Sequence, residues 1–520
     1  LSNFLENTIK IISPMWAAKR LRAKKYISAV ESFTGASYSR SATKNWQVAK
    51  GDPAYNTIKE LSILRDRSED LYRNNPLGSG AINTATTNVV GTSLKFHSQV
   101  NSKFLKIAPE KAEELESQIE HEFSTWCGNC DVAKMVNFDT YQDLVFRNAL
   151  STGESIILFL QQKEKNSDYG LRLQLVPSAR LSNKDNLPDT NRMAGGIEKN
   201  GDGQPINYFI ANQFPNTYYT NKASMKWQTV PAFNSKNGLK NIIHLFKIIY
   251  PGQNRGIPFL APVVEKIKQI DRYVDAEIMA AVIQGMFTVF IESEVGENGI
   301  KAPGTDPNIG DISNSATGET ELQMDYGAVL GLRPGEKPTF ANPSRPNSQF
   351  EIFVTALTKQ IGASLEIPFE VLMKSYNASY SASQASLLEA WRFFRSRRKW
   401  LSDYFCQEVF ERWLYEAVAI GKIDAPGFFT SPAIRKAYSG AQWIGNPPGQ
   451  IDPLKSITAA KERINLIVST RAKEAAEFGE DFDKIILQRE KEKRMLEASG
   501  LIEEPIASDN INSGVFNETN

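Results

Sequence analysis

Few residues in this chain have the types and spacing that chemistry needs. Cys127-Gly128-Asn129-Cys130 is a CxxC pair, with His121 six residues upstream. A structural zinc site takes four ligands, and the chain has only three cysteines (Cys127, Cys130, Cys406) and three histidines (His97, His121, His244). The pair is therefore expected to be buried thiols at a helix end. His121-Glu122 lacks the second histidine of a zinc protease. His244, in an apolar strand pattern, is expected to be a satisfied core histidine. Gly331-Leu332-Arg333-Pro334-Gly335-Glu336-Lys337 approaches a phosphate-binding loop, but it is too short, carries Pro334 and is followed by no hydroxyl. Asp189 with Glu198-Lys199 suggests a metal-dependent nuclease. Adjacent strand residues point to opposite faces, however, so Glu198 and Lys199 could not serve one metal. No serine elbow occurs. The expectation is no catalytic residue, no metal and no cofactor.

Two basic runs remain. Lys19 to Lys25 reads as a solvated arm, with nucleic-acid contact as the sharper alternative. In Arg392-Phe393-Phe394-Arg395-Ser396-Arg397-Arg398-Lys399-Trp400, the side chains of Arg392, Arg395 and Lys399 share one helical stripe. Either this is a solvated face paired with neighbouring acids, or Arg392, Arg395, Arg398 and Lys399 contact another subunit or a phosphate backbone.

The elements that would position these residues follow from pattern. The chain has 520 residues, enough for about two to four compact regions. Lys plus Arg is 60 against 59 acids, a net charge of +1, which excludes a bulk electrostatic binder. Its 41% hydrophobic and 10% aromatic content can fill a core. Three cysteines exclude a disulfide scaffold. No secretory signal and no apolar run of membrane-spanning length is read.

Residues 1–56 form a basic arm with Trp16 and Trp46 as anchors. Helical pattern covers 57–88, broken at Asn74-Asn75-Pro76, then 109–126 and 139–151. From 155 to 250 the pattern changes to strands with turns such as Asn200-Gly201-Asp202-Gly203, an α+β region. Apolar residues recur at helical spacing over 262–286. Residues 292–346 hold eight Gly and six Pro and cannot be one helix. Ser348-x-x-Glu351 reads as a capping box opening a helix that Pro368 ends. A hydroxyl-rich segment follows. Then comes a long helix over 383–421, capped by Ser383, with Leu387, Trp391, Phe394, Leu401, Phe405, Val409 and Trp413 on its buried face. Helices continue to about Ser499, and 500–520 are expected to be disordered.

Short motifs in order then resemble one family. They are Tyr72-Arg73-Asn74-Asn75-Pro76-Leu77, Asn88-Val89-Val90-Gly91, Gly153-Glu154, Leu173 to Pro177, Gly196-Ile197-Glu198, His244-Leu245-Phe246 and Pro251 to Pro258. Asp275-Ala276-Glu277, Pro334-Gly335-Glu336, Tyr380-Ser381-Ala382, Trp391-Arg392 and Ile451-Asp452-Pro453 with Lys455 follow. Over about residues 50–470 the chain resembles the lambda-family phage portal proteins.

The resemblance implies an α+β portal fold. Residues 57–257 would form an α/β wing, 258–291 a first stem helix, 292–346 a small α/β clip and 347–368 a second stem helix. A tunnel loop would span 369–383, a long helix with the wing and crown connection 384–450, and a helical crown 451–499. It implies a ring of copies, usually twelve, at one capsid vertex, through which DNA is packaged and ejected. Lys374, Ser375, Tyr376, Asn377, Ser379 and Tyr380 would face the DNA channel.

The implied partners are further copies of the chain, double-stranded DNA without sequence specificity, the terminase large subunit, major capsid and scaffold proteins, and a head–tail adaptor, with no membrane. The implied places are the virion and, during assembly, the host cytoplasm. Twelve helices roughly 10 Å wide, side by side, leave an opening of roughly 25–30 Å. Near-neutral charge suits sliding, because each neutralised phosphate adds grip. Another capsid or head–tail joining protein is the first alternative. A nucleic-acid enzyme with an unrecognised site is the second.

Overall fold

The computed structural model describes residues 53–163, 165, 167–215, 224–285, 289–293, 336–340, 349–376, 379–448 and 453–499, with isolated positions before 53. Most of the basic arm, most of the Gly/Pro-rich insert, Ser348, Asn377 and the 500–520 tail lie outside the described residues.

The helices α1 (Pro53–Asn74) and α2 (Pro76–Val89) are split where the sequence predicts. Asn75 is extended, and its side chain accepts the Gly78 N–H while Pro76 occupies the first turn, a strong helix start. Strand β1 (Lys95–Ser98) precedes α3 (Pro109–Cys127) and α4 (Phe138–Thr152). Gly153, at φ 95°, ends α4.

Two antiparallel sheets follow. Strands β2 (Glu154–Gln161), β3 (Leu171–Val176) and β8 (Ile242–Phe246) lie in the order β3-β2-β8. Strands β4 (Met193–Ala194), β5 (Ile197–Lys199), β6 (Pro205–Ala211) and β7 (Trp227–Pro231) form the second sheet in sequence order. Strand β2 is buried on both faces, which explains its unbroken apolar run. Ile157 and Phe159 join the main helical core, whereas Ile156 and Leu158 pack with Ile197, Tyr208 and Ile210 of the second sheet.

Helix α5 (Val264–Gly285) is followed by β9 (Val289–Ser293) and β10 (Glu336–Phe340), which pair antiparallel. Next come α6 (Phe350–Ser364), α7 (Phe369–Met373), α8 (Tyr380–Leu401) and α9 (Gln407–Ala419), the last two joined by a π turn at Ser402–Cys406. After α10 (Pro432–Tyr438), strand β11 (Ala441–Ile444) returns to pair with β1. Helices α11 (Pro453–Asn465), α12 (Arg471–Glu477) and α13 (Phe482–Ala498) end the described chain. No helix among the described residues is long and apolar enough to cross a membrane.

The main core is aromatic. Phe123 lies 5.0 Å from Trp413 and 5.4 Å from Phe410, so α3 and α9 meet through rings. Three expectations shift. Helix α8 begins at Tyr380, so Ser383 is buried inside its first turn rather than capping it. Gln349 takes the cap position of α6 and makes no side-chain cap bond. Helix α6 stops at Ser364, where Glu366 turns left-handed at φ 58° and the Ile367 N–H returns to the Gly362 carbonyl, so Pro368 does not end it but stands before α7, whose Val371 and Leu372 are buried.

One buried carboxylate joins these layers. Glu154 is fully buried at the start of β2. It receives Arg65 of α1 at 3.0 Å, the Arg255 guanidinium, His244 of β8 at 2.9 Å and the Gly256 N–H at 3.0 Å. Arg255 also donates to the carbonyls of Ser178, Leu181 and Gly195. A Cβ on Gly256 would collide with the Gly153 carbonyl, so glycine is what allows this approach.

Burial alone would raise the Glu154 pKa, but Arg255 and His244 hold it well below the ordinary 4.5. Burial lowers His244 below 6.5, against the pull of Glu154, so it stays neutral. Both depressions act in one direction. The His244 contribution is present above about pH 6.5 and fades as pH falls below it; the Glu154 contribution is present above about 4.5 and is lost in stronger acid. Urea unfolding across pH should show stability falling in acid in these two windows. Glu154→Gln should cost about 3–5 kcal/mol at pH 7 and remove the lower window. A cost under about 1 kcal/mol would contradict a central role for this cluster.

Candidate nucleic-acid interface

Both ends of the segment 369–383, expected to face DNA, are helical: α7 takes up one and the early start of α8 the other. Lys374 closes α7 in the left-handed conformation, φ 53° and ψ 36°, with its N–H on the Glu370 carbonyl. The Ser375 N–H donates to the same carbonyl at 3.0 Å. The turn thus leaves Lys374, Tyr376, Ser379 and Tyr380 exposed and Ser375 half-buried. Ser379 is the cap residue of α8, but its hydroxyl lies 3.3 Å from that of Ser381 and accepts no backbone N–H of the first turn. The packing of α7 on α2 and α8 anchors this turn.

The basic run on α8 divides by helical face. Arg392 pairs with Glu389 at 2.7 Å and Lys399 with Asp403 at 2.7 Å, both on the surface. These two fit the solvated-face reading. Arg395 is exposed and has no ion pair among the described residues. Arg398 does not belong to the outer stripe. It shares the inward face with Trp391 and Phe394 and stacks 5.4 Å over the Trp391 ring. Its guanidinium donates to the carbonyls of Val89 and Asn88 at 3.0 Å and of Asn446 at 2.8 Å. Burial, with the nearby Arg395 charge, brings its pKa down to about 10. Arg398 is a structural tie between α8, the end of α2 and the segment after β11. Arg397 likewise lies over Phe393 at 5.1 Å.

The other chemistry-bearing residues are accounted for by structure. Cys130 and Cys406 are buried and Cys127 is half-buried at the end of α3. Loss of hydration pushes all three thiols upward, away from nucleophilic thiolates. Asp189 accepts from Asn183 at 2.8 Å and from the Gly195 N–H at 2.9 Å, while Glu198 accepts from Asn207 at 2.7 Å. His121 is exposed. His244 is the satisfied core histidine expected.

Sequence reasoning missed two clusters. One is the Glu154 set, whose motifs Gly153-Glu154, His244 and Arg255-Gly256 were read separately. The other brings together His97, Glu120 and Asp481, for which the sequence carries no spacing signal.

Arg398→Ala should destabilise by about 2–4 kcal/mol, since it unpairs three carbonyls. Arg395→Ala should change stability by less than about 0.5 kcal/mol. Denaturant unfolding of the two variants checks this, and equal effects would contradict the division by face.

Comparison with known proteins bears on most of the chain. The model of the phage portal proteins of the lambda family matches residues 39–398. The chain is 26% identical over 453 residues to portal protein B of Escherichia phage lambda, covering 84% of each chain. It is 25% identical over 453 residues to the portal protein of Escherichia phage N15, again with 84% of each covered. It is 22% identical over 457 residues to the probable portal protein of a Halomonas phage, phiHAP-1, covering 87% of this chain and 84% of the relative. Among solved structures, a chain from the neck of an empty gene transfer agent particle aligns at a TM-score of 0.43 and 11% identity, covering 81% of this chain and 94% of the other. With a family model matched over most of its length, the chain belongs to the lambda family of phage portal proteins.

Proposed function

We propose that copies of the chain close into a ring, usually of twelve subunits, at one capsid vertex. Double-stranded DNA passes through its centre, packaged by the terminase large subunit and later ejected. The ring also serves as the platform for head–tail joining. The observation that carries this reading is the element order from residue 264 to 401: α5, a paired strand unit, α6, the short helix α7, then α8. In this reading α5 and α6 are the stem, 292–346 the clip and the turn after α7 the tunnel loop.

The clip meets the terminase and then the adaptor, and the outer parts of the ring meet the major capsid and scaffold proteins. The ring is assembled in the host cytoplasm and resides in the virion. The chain itself performs no catalysis. Ile278, Met279 and Val282 of α5, with Ile352 and Phe353 of α6, are exposed in the single chain. Neighbouring subunits would cover such surface in a ring.

Chemistry at the turn suits a sliding contact. Tyr376, Ser379 and Tyr380 offer neutral hydrogen bonds to phosphate, and Lys374 adds one cation per subunit. That is weak, sequence-independent contact. A photoreactive residue at Tyr376 should cross-link packaged DNA, while the same probe at Asn200, in the turn between β5 and β6, should not. Equal labelling from both, or none from Tyr376, would overturn the placement of this turn in the channel.

A further inference from the structure

We propose that His97, Glu120 and Asp481 form a divalent-cation site of the zinc class, which pins the start of α13 to β1 and α3. This goes beyond the portal reading and does not depend on it.

The geometry is that of co-ligands. His97 Nδ1 lies 2.9 Å from Glu120 Oε1 and 3.1 Å from Asp481 Oδ2. The nitrogen is shielded from solvent and meets neither oxygen in good hydrogen-bond geometry; the adjacent Glu120 carboxylate favours the protonated ring, so an ion entering here displaces a proton. At bond lengths of about 2.0–2.1 Å, two ligands of one ion lie roughly 2.9–3.4 Å apart and off each other's lone-pair axes. Two carboxylates against one ring nitrogen also exceed what a single N–H can satisfy.

The surrounding contacts orient each ligand. His97 is held in β1 opposite Gln442 of β11. Its Nε2 has the Asp483 carboxylate at 3.6 Å, a charge contact beyond hydrogen-bond distance, on the side of the ring away from Glu120 and Asp481. Asp481 caps α13 through Oδ1, which accepts the N–H groups of Asp483 and Lys484 at 3.0 and 3.4 Å, leaving Oδ2 toward His97. Glu120 Oε1 accepts the Ser98 N–H at 3.1 Å. One imidazole with two carboxylates suits zinc and its neighbours rather than calcium, which takes six or more oxygens.

Lys484 provides the counter-charge without a metal. Its Nζ lies 3.3 Å from Glu120 Oε2 and 3.5 Å from Asp481 Oδ2, and the side chain is largely exposed, free to swing away. A structural role fits the helix concerned. Helix α13 buries no side chain, so its attachment rests on contacts at its start.

The test uses the full chain, stripped with a chelator and titrated with Co2+ and then Zn2+, followed by absorption and calorimetry. The expected result is one ion per chain with a visible Co2+ band that Zn2+ abolishes. Asp481→Asn keeps the helix cap but should weaken binding by at least about tenfold. His97→Gln should do the same, and Lys484→Gln should strengthen binding several-fold. Zn2+ should also slow tryptic cleavage within α13. No saturable site below roughly 1 mM, or binding unchanged by both Asp481→Asn and His97→Gln, as ligation by the thiols would give, overturns the proposal.

Discussion

A carboxylate with no access to water has to be met by charge and hydrogen bonds from wherever the chain can supply them, and Glu154 is met from four directions. Its partners are drawn from α1, from β8 and from the loop that leads into α5. Unpaired, such a group would cost several kcal/mol, so the partners cannot drift independently. Arg255 extends the constraint by holding the carbonyls that lead toward the second sheet. Two residues beyond Gly256 comes Pro258, followed by Leu260 and Val263, both buried at the base of α5. The cluster thus seats the helix that the portal reading assigns to the stem against the sheets assigned to the wing.

A second constraint concerns positive charge. The densest basic run in the described chain leaves little charge for DNA, because each cation except Arg395 has a local task. Arg392 and Lys399 face acids one turn away, and Arg397 and Arg398 are turned onto aromatic rings or carbonyls. Binding to a polyanion strengthens with each phosphate neutralised. In the portal reading, a chain of net charge +1 whose densest described basic run is mostly engaged by its own acids, rings and carbonyls is suited to letting a duplex pass rather than to holding it.

Much of the fold was legible because local signals agreed. Asn75-Pro76 marks a helix start by capping chemistry, Gly153 marks a helix end by its φ, and the apolar stripes of α3, α5 and α8 follow helical period. Arg398 was also legible. It falls on the stripe of Leu387, Trp391, Phe394 and Leu401, all read as inward-facing, and its charge diverted attention from its position. The start of α8 was obscured because Tyr380-Ser381-Ala382 has no apolar stripe and helix propensity alone is a weak signal. The ion clusters were not legible as clusters, even where their members stood in motifs. Glu154 draws on residues 89 to 102 positions away, and His97 meets Asp481 from the far end of the chain. No spacing rule spans such distances; only the completed fold brings them together.

The central claim is that this chain works as the wall of a channel. Electron microscopy of the purified full-length protein tests it most directly. The account predicts closed rings with a central opening of roughly 25–30 Å and with Lys374 and Tyr376, after α7, on the inner wall. Monomers, open filaments or rings without an opening wide enough for a duplex would contradict it.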